Sequence, residues 1–199
     1  MLPYINSLKR LIICILIPVS FAAQGQQAFT FSVFNEATTI PFTSFLNAPI
    51  HPGFQVGTEF PGKERKNFRI FPSINLGYMF HKNLFQGLYA NADMGVDFKT
   101  SFGFHIKSKM GIGYLHTFTT KQEYILENGS YVPEKDKGNS RIMPSLSLGL
   151  GYALDKNDVK SPEIFMFYQS WLEYPYSPGF IPLMSHTNVH LGAKFFISK

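Results

Sequence analysis

Residues 102–118 read FGFHIKSKMGIGYLHTF, and this stretch decides the fold. Its even positions are mostly apolar or aromatic, whereas its odd positions are mostly Gly, His, Lys and Thr. The alternation has a period of two, which is the period of a β-strand, because successive side chains of a strand point to opposite faces. The stretch therefore predicts a strand with one apolar face and one charged or small face.

Two further stretches repeat this pattern, LYANADMGVDF at residues 88–98 and LSLGLGYAL at residues 146–154. The strands of a soluble β-sandwich also alternate, but their polar face contacts water and is rich in Lys, Glu and Thr. Here the polar face carries many Gly residues and only isolated charges. Small residues and sparse charges favour a crowded polar interior, with the apolar face turned toward lipid.

The rest of the chain extends the pattern to about eight strands, joined by connections that alternate in length. The predicted strands are residues 28–35, 52–60, 67–81, 84–99, 101–118, 142–154, 162–173 and 186–198. The connections 36–51, 119–141 and 174–185 are long, whereas 61–66, 155–161 and the bend at 99–100 are short. If both termini lie on one side, the long connections share the opposite side, and the connection 81–83 is the one short exception there.

Composition excludes several classes of protein. The chain has 199 residues, of which 45% are hydrophobic and 16% charged, so it has enough apolar surface to fold. No apolar run beyond the N-terminus approaches the ~20 residues of a membrane-spanning helix. The net charge of +5 comes from basic residues spread thinly along the chain, so we expect no nucleic-acid partner.

The N-terminus has the order of a secretory signal peptide. Lys9 and Arg10 precede an apolar stretch, residues 11–21, which is followed by the small residues Ala22, Ala23 and Gly25. We expect residues 1–25 to be removed on export and residues 26–199 to form one barrel domain. The only cysteine, Cys14, lies in the segment that is removed, so we expect neither a disulfide nor a thiolate zinc site.

With these features the chain resembles the small eight-stranded outer-membrane β-barrels of Gram-negative bacteria. The likeness rests on the alternation, on the asymmetry of the connections and on the C-terminal stretch VHLGAKFFI at residues 189–197, which is similar to the strand read by the barrel-assembly machinery. Aromatic residues near the strand ends also fit the two interfacial girdles of such barrels. The expected outer girdle comprises Tyr78, Phe80, Tyr114, Phe118 and Trp171, and the expected inner girdle comprises Phe60, Phe98, Phe102, Tyr152 and Phe196.

The resemblance implies an all-β fold, an antiparallel up-and-down transmembrane β-barrel of about eight strands that follows a cleaved signal peptide. It implies an outer-membrane location, with outer-membrane lipids, lipopolysaccharide and the barrel-assembly machinery as partners. The oligomeric state stays open.

An eight-stranded barrel encloses a space just wide enough for side chains. The polar residues that alternate inward are expected to fill it, because buried charges must be paired. A lumen plugged by ion pairs is the main interpretation, and a proton or ion path through the same network is the alternative. The predicted network comprises Glu59, Asn91, Asp93, Asp97, His105, Lys107, Lys109, His190 and Lys194, with Gln55 and Asn75 on the same face.

We expect no metal site and no cofactor. His186 and His190 share a face of one strand, but four residues at ~3.3 Å each put them about 13 Å apart, too far to bind one metal ion.

An enzymatic alternative comes from the barrels that remove acyl chains from lipid A with a Ser nucleophile, a His base and an acid. Ser185-His186-Thr187-Asn188 has a distant similarity to the His-x-Ser-Asn stretch of that family. The resemblance makes Ser185, His186 and Glu173 the candidate catalytic residues. Because neighbours in a strand face opposite ways, Ser185 meets His186 only if Ser185 is still in the loop.

Two outer connections have distinctive sequences. Residues 174–182 hold three Pro residues, which stiffen the loop and present Tyr174, Tyr176 and Phe180. This loop is expected either to recognise a partner or lipopolysaccharide sugars, or to fold back as a cap. In the connection 119–141, Asn128-Gly129 predicts a hairpin turn.

Three functions therefore stay open. The first is an outer-membrane barrel with a structural or interaction role exercised through its outer loops. The second is a lipid A acyl hydrolase. The third is a soluble periplasmic β-barrel that binds an apolar ligand, in which the aliphatic face would point inward.

Overall fold

The computed structural model describes residues 27–43, 48–158, 160–177 and 179–196. The predicted signal peptide, residues 1–25, and the last two residues of the predicted C-terminal strand, 197 and 198, lie outside the described residues. Secondary structure in the described part consists of β-strands and turns, with no helix. In particular, no helix there is long and apolar enough to cross a membrane.

Eleven strands are formed by the described residues. They are β1 (Ala28–Ala37), β2 (Pro52–Glu59), β3 (Glu64–Arg65), β4 (Phe68–Phe80), β5 (Phe85–Lys99), β6 (Phe104–Thr119), β7 (Glu123–Glu127), β8 (Ser130–Glu134), β9 (Asn139–Ala153), β10 (Glu163–Glu173) and β11 (Met184–Phe196).

Eight of these strands form a closed antiparallel barrel. Strands β1, β2, β4, β5, β6, β9, β10 and β11 pair in that order, and β11 pairs back onto β1, with Phe34 opposite His190. The predicted fold and strand number are confirmed, and each predicted strand lies within a few residues of an observed one. The barrel thereby leaves no unpaired edge among its eight strands.

The remaining three strands lie in the connections. The short strand β3 pairs with the start of β4 through Glu64 opposite Arg69. Strands β7 and β8 form a separate two-stranded hairpin between β6 and β9. We call the end of the barrel that carries this hairpin and the connections 38–51 and 174–183 the outer end, and the end that carries β3 the inner end.

The strand faces alternate as the period of two requires. In β5, Leu88 and Met94 are each 56% exposed, whereas Asp97 is fully buried. In β9, Leu148 and Leu150 point outward and Ser147 points inward. The aliphatic face is thus on the outside, which is opposite to the arrangement that a soluble barrel with an apolar interior requires.

The placement of Trp171 in the outer girdle is wrong. Its side chain is 1% exposed and points into the barrel, stacked on the His186 ring with the ring centroids 4.1 Å apart. The reason is the register of β10, whose inward face is aromatic and also carries Phe165 and Phe167. Apolar residues on both faces of β10 hide the parity that is evident in β5 and β6.

Candidate functional site

The lumen at the inner end is filled by a cluster of ion pairs, which we call the inner charge cluster. The Lys107 ammonium group contacts Glu163 and lies 3.6 Å from an Asp97 oxygen, and all three side chains are buried. His105 Nδ1 lies 2.9 Å from the other Asp97 oxygen. Lysine, carboxylates and histidine from β5, β6 and β10 are therefore tied together across the barrel.

Glu59 of β2 is a second centre of the inner charge cluster. Arg69 contacts its carboxylate, and the Lys109 and Lys194 ammonium groups lie 3.6 and 3.9 Å from it. Lys194 also contacts Glu163. Removing charges from water is costly, and the cost is offset only where each charge has partners of opposite sign, as here.

Two members of this cluster, Arg69 and Glu163, were missed by the sequence interpretation. Arg69 shares its parity with Asn75 in β4, so the alternation contained the signal. Glu163 is the first residue of β10, where the aromatic inward face conceals the polar pattern.

The middle of the lumen is a layer of hydrogen-bonded amides. Asn75 and Asn91 each donate a 2.8 Å hydrogen bond to the Asp93 carboxylate. Gln169 accepts a 3.0 Å hydrogen bond from Asn188 and lies 3.3 Å from the His190 ring, whose other nitrogen is 3.1 Å from the Ser32 hydroxyl.

Toward the outer end the lumen is apolar. This layer comprises Phe34, Met79, Phe85, Tyr89, Leu115, Met143 and Trp171. Glycines at the paired positions of neighbouring strands make room for its rings, because a Cβ atom at Gly77 would lie 2.2 Å from the Tyr89 ring and one at Gly53 would lie 2.2 Å from the Phe34 ring. The glycines of the inward face therefore accommodate large side chains, in keeping with the packing density of protein interiors.

Above the apolar layer, a row of alternating charges reaches the outer rim. The Arg141 Nε atom lies 3.0 Å from Glu173, whose other oxygen lies 3.2 Å from His186 Nε2. His186 Nδ1 lies 2.8 Å from an oxygen of Glu36. Both ring nitrogens of His186 are thus engaged by carboxylates, and the ring is fully buried.

The structure brings together only two of the three candidate catalytic residues. Glu173 meets His186, but the Ser185 hydroxyl donates a 3.1 Å hydrogen bond to the Thr39 carbonyl oxygen. Both Ser185 and His186 belong to β11, opposite Leu172 and Trp171 respectively, so their side chains diverge. The requirement that Ser185 remain in the loop is not met.

The loop 174–183 is a short hairpin held by backbone hydrogen bonds. Ser177 N–H donates to the Ile181 carbonyl oxygen at 2.8 Å, and Tyr174 exchanges two hydrogen bonds with Ile142. Of the predicted recognition residues, Phe180 is 82% exposed, Tyr174 is half exposed and Tyr176 is partly buried. Pro178 lies outside the described residues.

The hairpin predicted around Asn128-Gly129 is present as β7 and β8. Asn128 and Gly129 have φ values of 49° and 81°, the left-handed region that a tight hairpin turn requires. At the base of this hairpin, Asp136 accepts hydrogen bonds from Thr119 N–H at 2.6 Å and from Gly138 N–H at 2.7 Å. Partial burial opposes ionisation, but these hydrogen bonds outweigh it and hold the pKa of Asp136 below its ordinary value.

Two groups of side chains in the described residues have the composition of a metal site. Within each group, one donor atom from every residue lies within 4.8 Å of the others. The groups are Asp97, His105 and Glu163 at the inner end, and Glu36, His51 and His81 at the outer rim. Neither was predicted, because the residues come from different strands and their spacing in sequence carries no metal motif.

Comparison with known proteins identifies the fold. No protein-family model matches the chain, and no curated protein matches it. Among solved structures, the N-terminal β-barrel domain of Pseudomonas aeruginosa OprF is similar with a TM-score of 0.52 and 12% identity, covering 87% of this chain and 100% of that one.

Two further solved structures are similar over most of their length. Neisserial surface protein A has a TM-score of 0.49 and 8% identity, covering 85% of this chain and 95% of that one. The outer membrane enzyme PagL has a TM-score of 0.48 and 11% identity, covering 84% of this chain and 98% of that one.

The fold is therefore that of the small eight-stranded outer-membrane β-barrels, with an apolar outer face and a polar interior. At these identities the likeness defines the architecture, and the function has to be argued from this chain's own residues.

Proposed function

We propose that this protein is a closed outer-membrane β-barrel with a structural or interaction role exercised through its outer loops. The observation that carries the proposal is the inner charge cluster, in which Lys107 joins Asp97 on β5 to Glu163 on β10. Lys109 on β6 adds a link to Glu59 on β2. These side chains occupy the space through which solutes would have to pass.

The exposed side chains that are suited to binding a partner lie in the outer loops. Phe180 and the exposed aromatic residues of the β7–β8 hairpin, Tyr124 and Tyr131, project at the outer end. Aromatic side chains on ordered loops contribute large contact areas at low entropic cost. This supports a recognition role for the loop residues Tyr174, Tyr176 and Phe180, with lipopolysaccharide as the surface they would meet first.

The location follows the same proposal. Residues 1–25 direct export and are removed, and the barrel-assembly machinery inserts residues 26–199 with the terminal strand as its signal. The outward aliphatic residues then contact outer-membrane lipid. A proton path is a weaker alternative, because the apolar layer interrupts the polar groups of the lumen.

The lipid A hydrolase alternative lacks support at the residues that suggested it. A Ser nucleophile requires a base within hydrogen-bond reach, about 2.6–3.2 Å. The Ser185 hydroxyl is directed to Thr39, and both nitrogens of His186 face carboxylates. Glu173 therefore acts in a charge row with Arg141 and not in a triad.

Two measurements on the purified barrel test the proposal. In planar bilayers we expect no steady conductance steps, and a reproducible open channel would contradict the closed lumen. Incubation with lipopolysaccharide followed by mass spectrometry of lipid A should show no loss of acyl chains. Acyl release that Ser185→Ala abolishes would establish the hydrolase instead.

A further inference from the structure

Three potential metal ligands meet at the outer rim on neighbouring strands. Glu36 is the penultimate residue of β1, His51 directly precedes β2, and His81 directly follows β4. Because β1 pairs with β2 and β2 pairs with β4, these positions are adjacent, and Glu36 N–H donates a 2.9 Å hydrogen bond to the His51 carbonyl oxygen. One oxygen or nitrogen from each side chain lies within 4.8 Å of the other two.

Two atoms of this group are buried without a hydrogen-bond partner, although Glu36 Oε2 lies 3.7 Å from His51 Nδ1. Among the described residues, nothing hydrogen-bonds to Glu36 Oε2 or to His51 Nε2. Glu36 is 1% exposed and His51 is 8% exposed. Such orphaned buried polar atoms are uncommon in folded proteins, and each calls for a cause.

The hydrogen bond at His51 Nδ1 determines whether Nε2 carries a hydrogen or a lone pair. His51 Nδ1 lies 3.2 Å from the Glu36 carbonyl oxygen, so Nδ1 carries the hydrogen and donates it. Nε2 then presents a lone pair. A ring fixed through Nδ1–H to a carbonyl oxygen, with Nε2 free, is the arrangement in which histidine usually binds metals.

The second imidazole lies directly beside the first, because the His51 and His81 rings are tilted by 32° with their centroids 3.5 Å apart. His81 Nδ1 accepts a 3.3 Å hydrogen bond from Asn83 N–H, so the neutral ring carries its hydrogen on Nε2, and a metal bound at Nε2 displaces that hydrogen. Two imidazoles and one carboxylate form a donor set suited to divalent zinc and its first-row neighbours.

The inner group of Asp97, His105 and Glu163 has similar donors but a different environment. Lys107 already neutralises Asp97 and Glu163 there. In the described part of the chain, the ionic contacts of Glu36 are to the imidazoles of His51 and His186 alone. In the rim group, by contrast, no ammonium or guanidinium group of the described residues contacts Glu36, and the His186 ring contacts only its Oε1 atom.

We propose that Glu36, His51 and His81 bind one divalent transition-metal ion of the zinc class at the outer rim. Bonds of ~2.0–2.1 Å in a tetrahedral site separate the ligand atoms by ~3.3 Å, so binding draws the donor atoms together by up to ~1.5 Å. Three protein ligands leave a fourth position for water or for a donor from the cell surface.

The surroundings of Glu36 support this role. Its Oε1 atom lies 2.8 Å from His186 Nδ1 and 3.3 Å from the Thr38 hydroxyl, which hold the carboxylate in place. His186 is held in turn by Glu173, and Glu173 by Arg141. The charge row described above therefore orients the Glu36 carboxylate through hydrogen bonds, as is usual for carboxylates that bind metals.

Titration of the refolded full chain in detergent micelles with zinc chloride tests the proposal. We expect one zinc ion per barrel, with affinity reduced at least ~10-fold in His51→Gln and in His81→Gln. The matched control is His116→Gln, which changes a histidine near the outer end of β6 whose ring contacts Tyr114 and Phe118. Heat-modifiable gel migration verifies folding of every variant.

Binding unchanged in both ligand variants, equal loss in the His116→Gln control, or no binding to the folded parent chain would overturn the proposal. A second measurement needs no variant. Cobalt(II) added to the parent chain should give the visible absorption bands of a low-symmetry site with nitrogen ligands and lose them when zinc is added. A spectrum identical to that of aqueous cobalt(II) would also overturn the proposal.

Discussion

At the residue scale, the period of two determines whether a side chain points into or out of the barrel. Its ion-pair and hydrogen-bond partners depend on residues from other strands. The inward side of Lys107 could be predicted from residues 102–118 alone. Its partner Glu163 lies 56 residues away in sequence, on β10, and comes close only when β9 pairs with both β6 and β10. The local spacing of residues therefore could not predict this contact. Among the candidate residues, parity separates Ser185 from His186, whereas the pairing of the consecutive strands β10 and β11 brings Glu173 to His186.

Replacing Lys107 with Met should destabilise the barrel by about 3–5 kcal/mol, because Asp97 and Glu163 lose the charge between them. Urea unfolding in lipid vesicles, followed by the fluorescence of the single tryptophan, Trp171, measures this change. The exposed Lys156 in the inner connection supplies the control, and Lys156→Met should leave the unfolding free energy within about 0.5 kcal/mol. Equal effects of the two changes would mean that the inner charge cluster does not stabilise the fold.

Replacing Leu148 with Arg should cost about 2–4 kcal/mol, because this outward side chain lies near the middle of β9 and would place a charge in lipid. Tyr152→Arg, on the same face but near the inner end of β9, should cost about 0–1 kcal/mol. The same urea titration compares the two variants. A cost that does not depend on position along the strand would contradict the lipid contact.

At the element scale, the strands and the β7–β8 hairpin could be predicted from local sequence, whereas the grouping of residues at the outer rim could not. Asn128-Gly129 predicted the β7–β8 turn because the turn needs positive φ at both positions. The girdle position assigned to Trp171 failed because β10 is apolar on both faces, so its parity was not readable. The rim residues Glu36, His51 and His81 lie at or just beyond strand ends, where the alternation no longer predicts which way a side chain points. Only the pairing of β1, β2 and β4 brings them together.

The hydrogen bonds to Asp136 predict a pH dependence for the base of the hairpin. The folded-state pKa is lowered from the ordinary value of 3.8, so the stabilisation is present above about pH 3.8 and is lost as pH falls through the lower folded pKa. The amide proton shift of Gly138 in a nuclear magnetic resonance titration should therefore change with a midpoint below 3.8. Asp136→Asn should remove the transition, and a midpoint at or above 3.8 in the parent chain would contradict the assignment.

At the scale of the whole molecule, the fold was predictable because the alternation recurs in most strands and the connections between them alternate in length. The interior was predictable only in outline. Its layers depend on side chains that meet at paired positions of neighbouring strands, such as the Phe34 ring over Gly53 and Trp171 against His186. A small barrel must fill its lumen with side chains, so the loops and the rim are where this protein can meet other molecules.

The central claim is that the apolar face of the barrel contacts lipid while the charged face fills a closed lumen. Photolabelling the unmodified protein in lipid vesicles with a lipid-soluble diazirine, and mapping the labelled residues by mass spectrometry, tests it most directly. We predict label on Met110, Ile112 and Leu148, and none on Lys107, Lys109 or Ser147. Label on the second set, with the first set unmodified, would contradict the account.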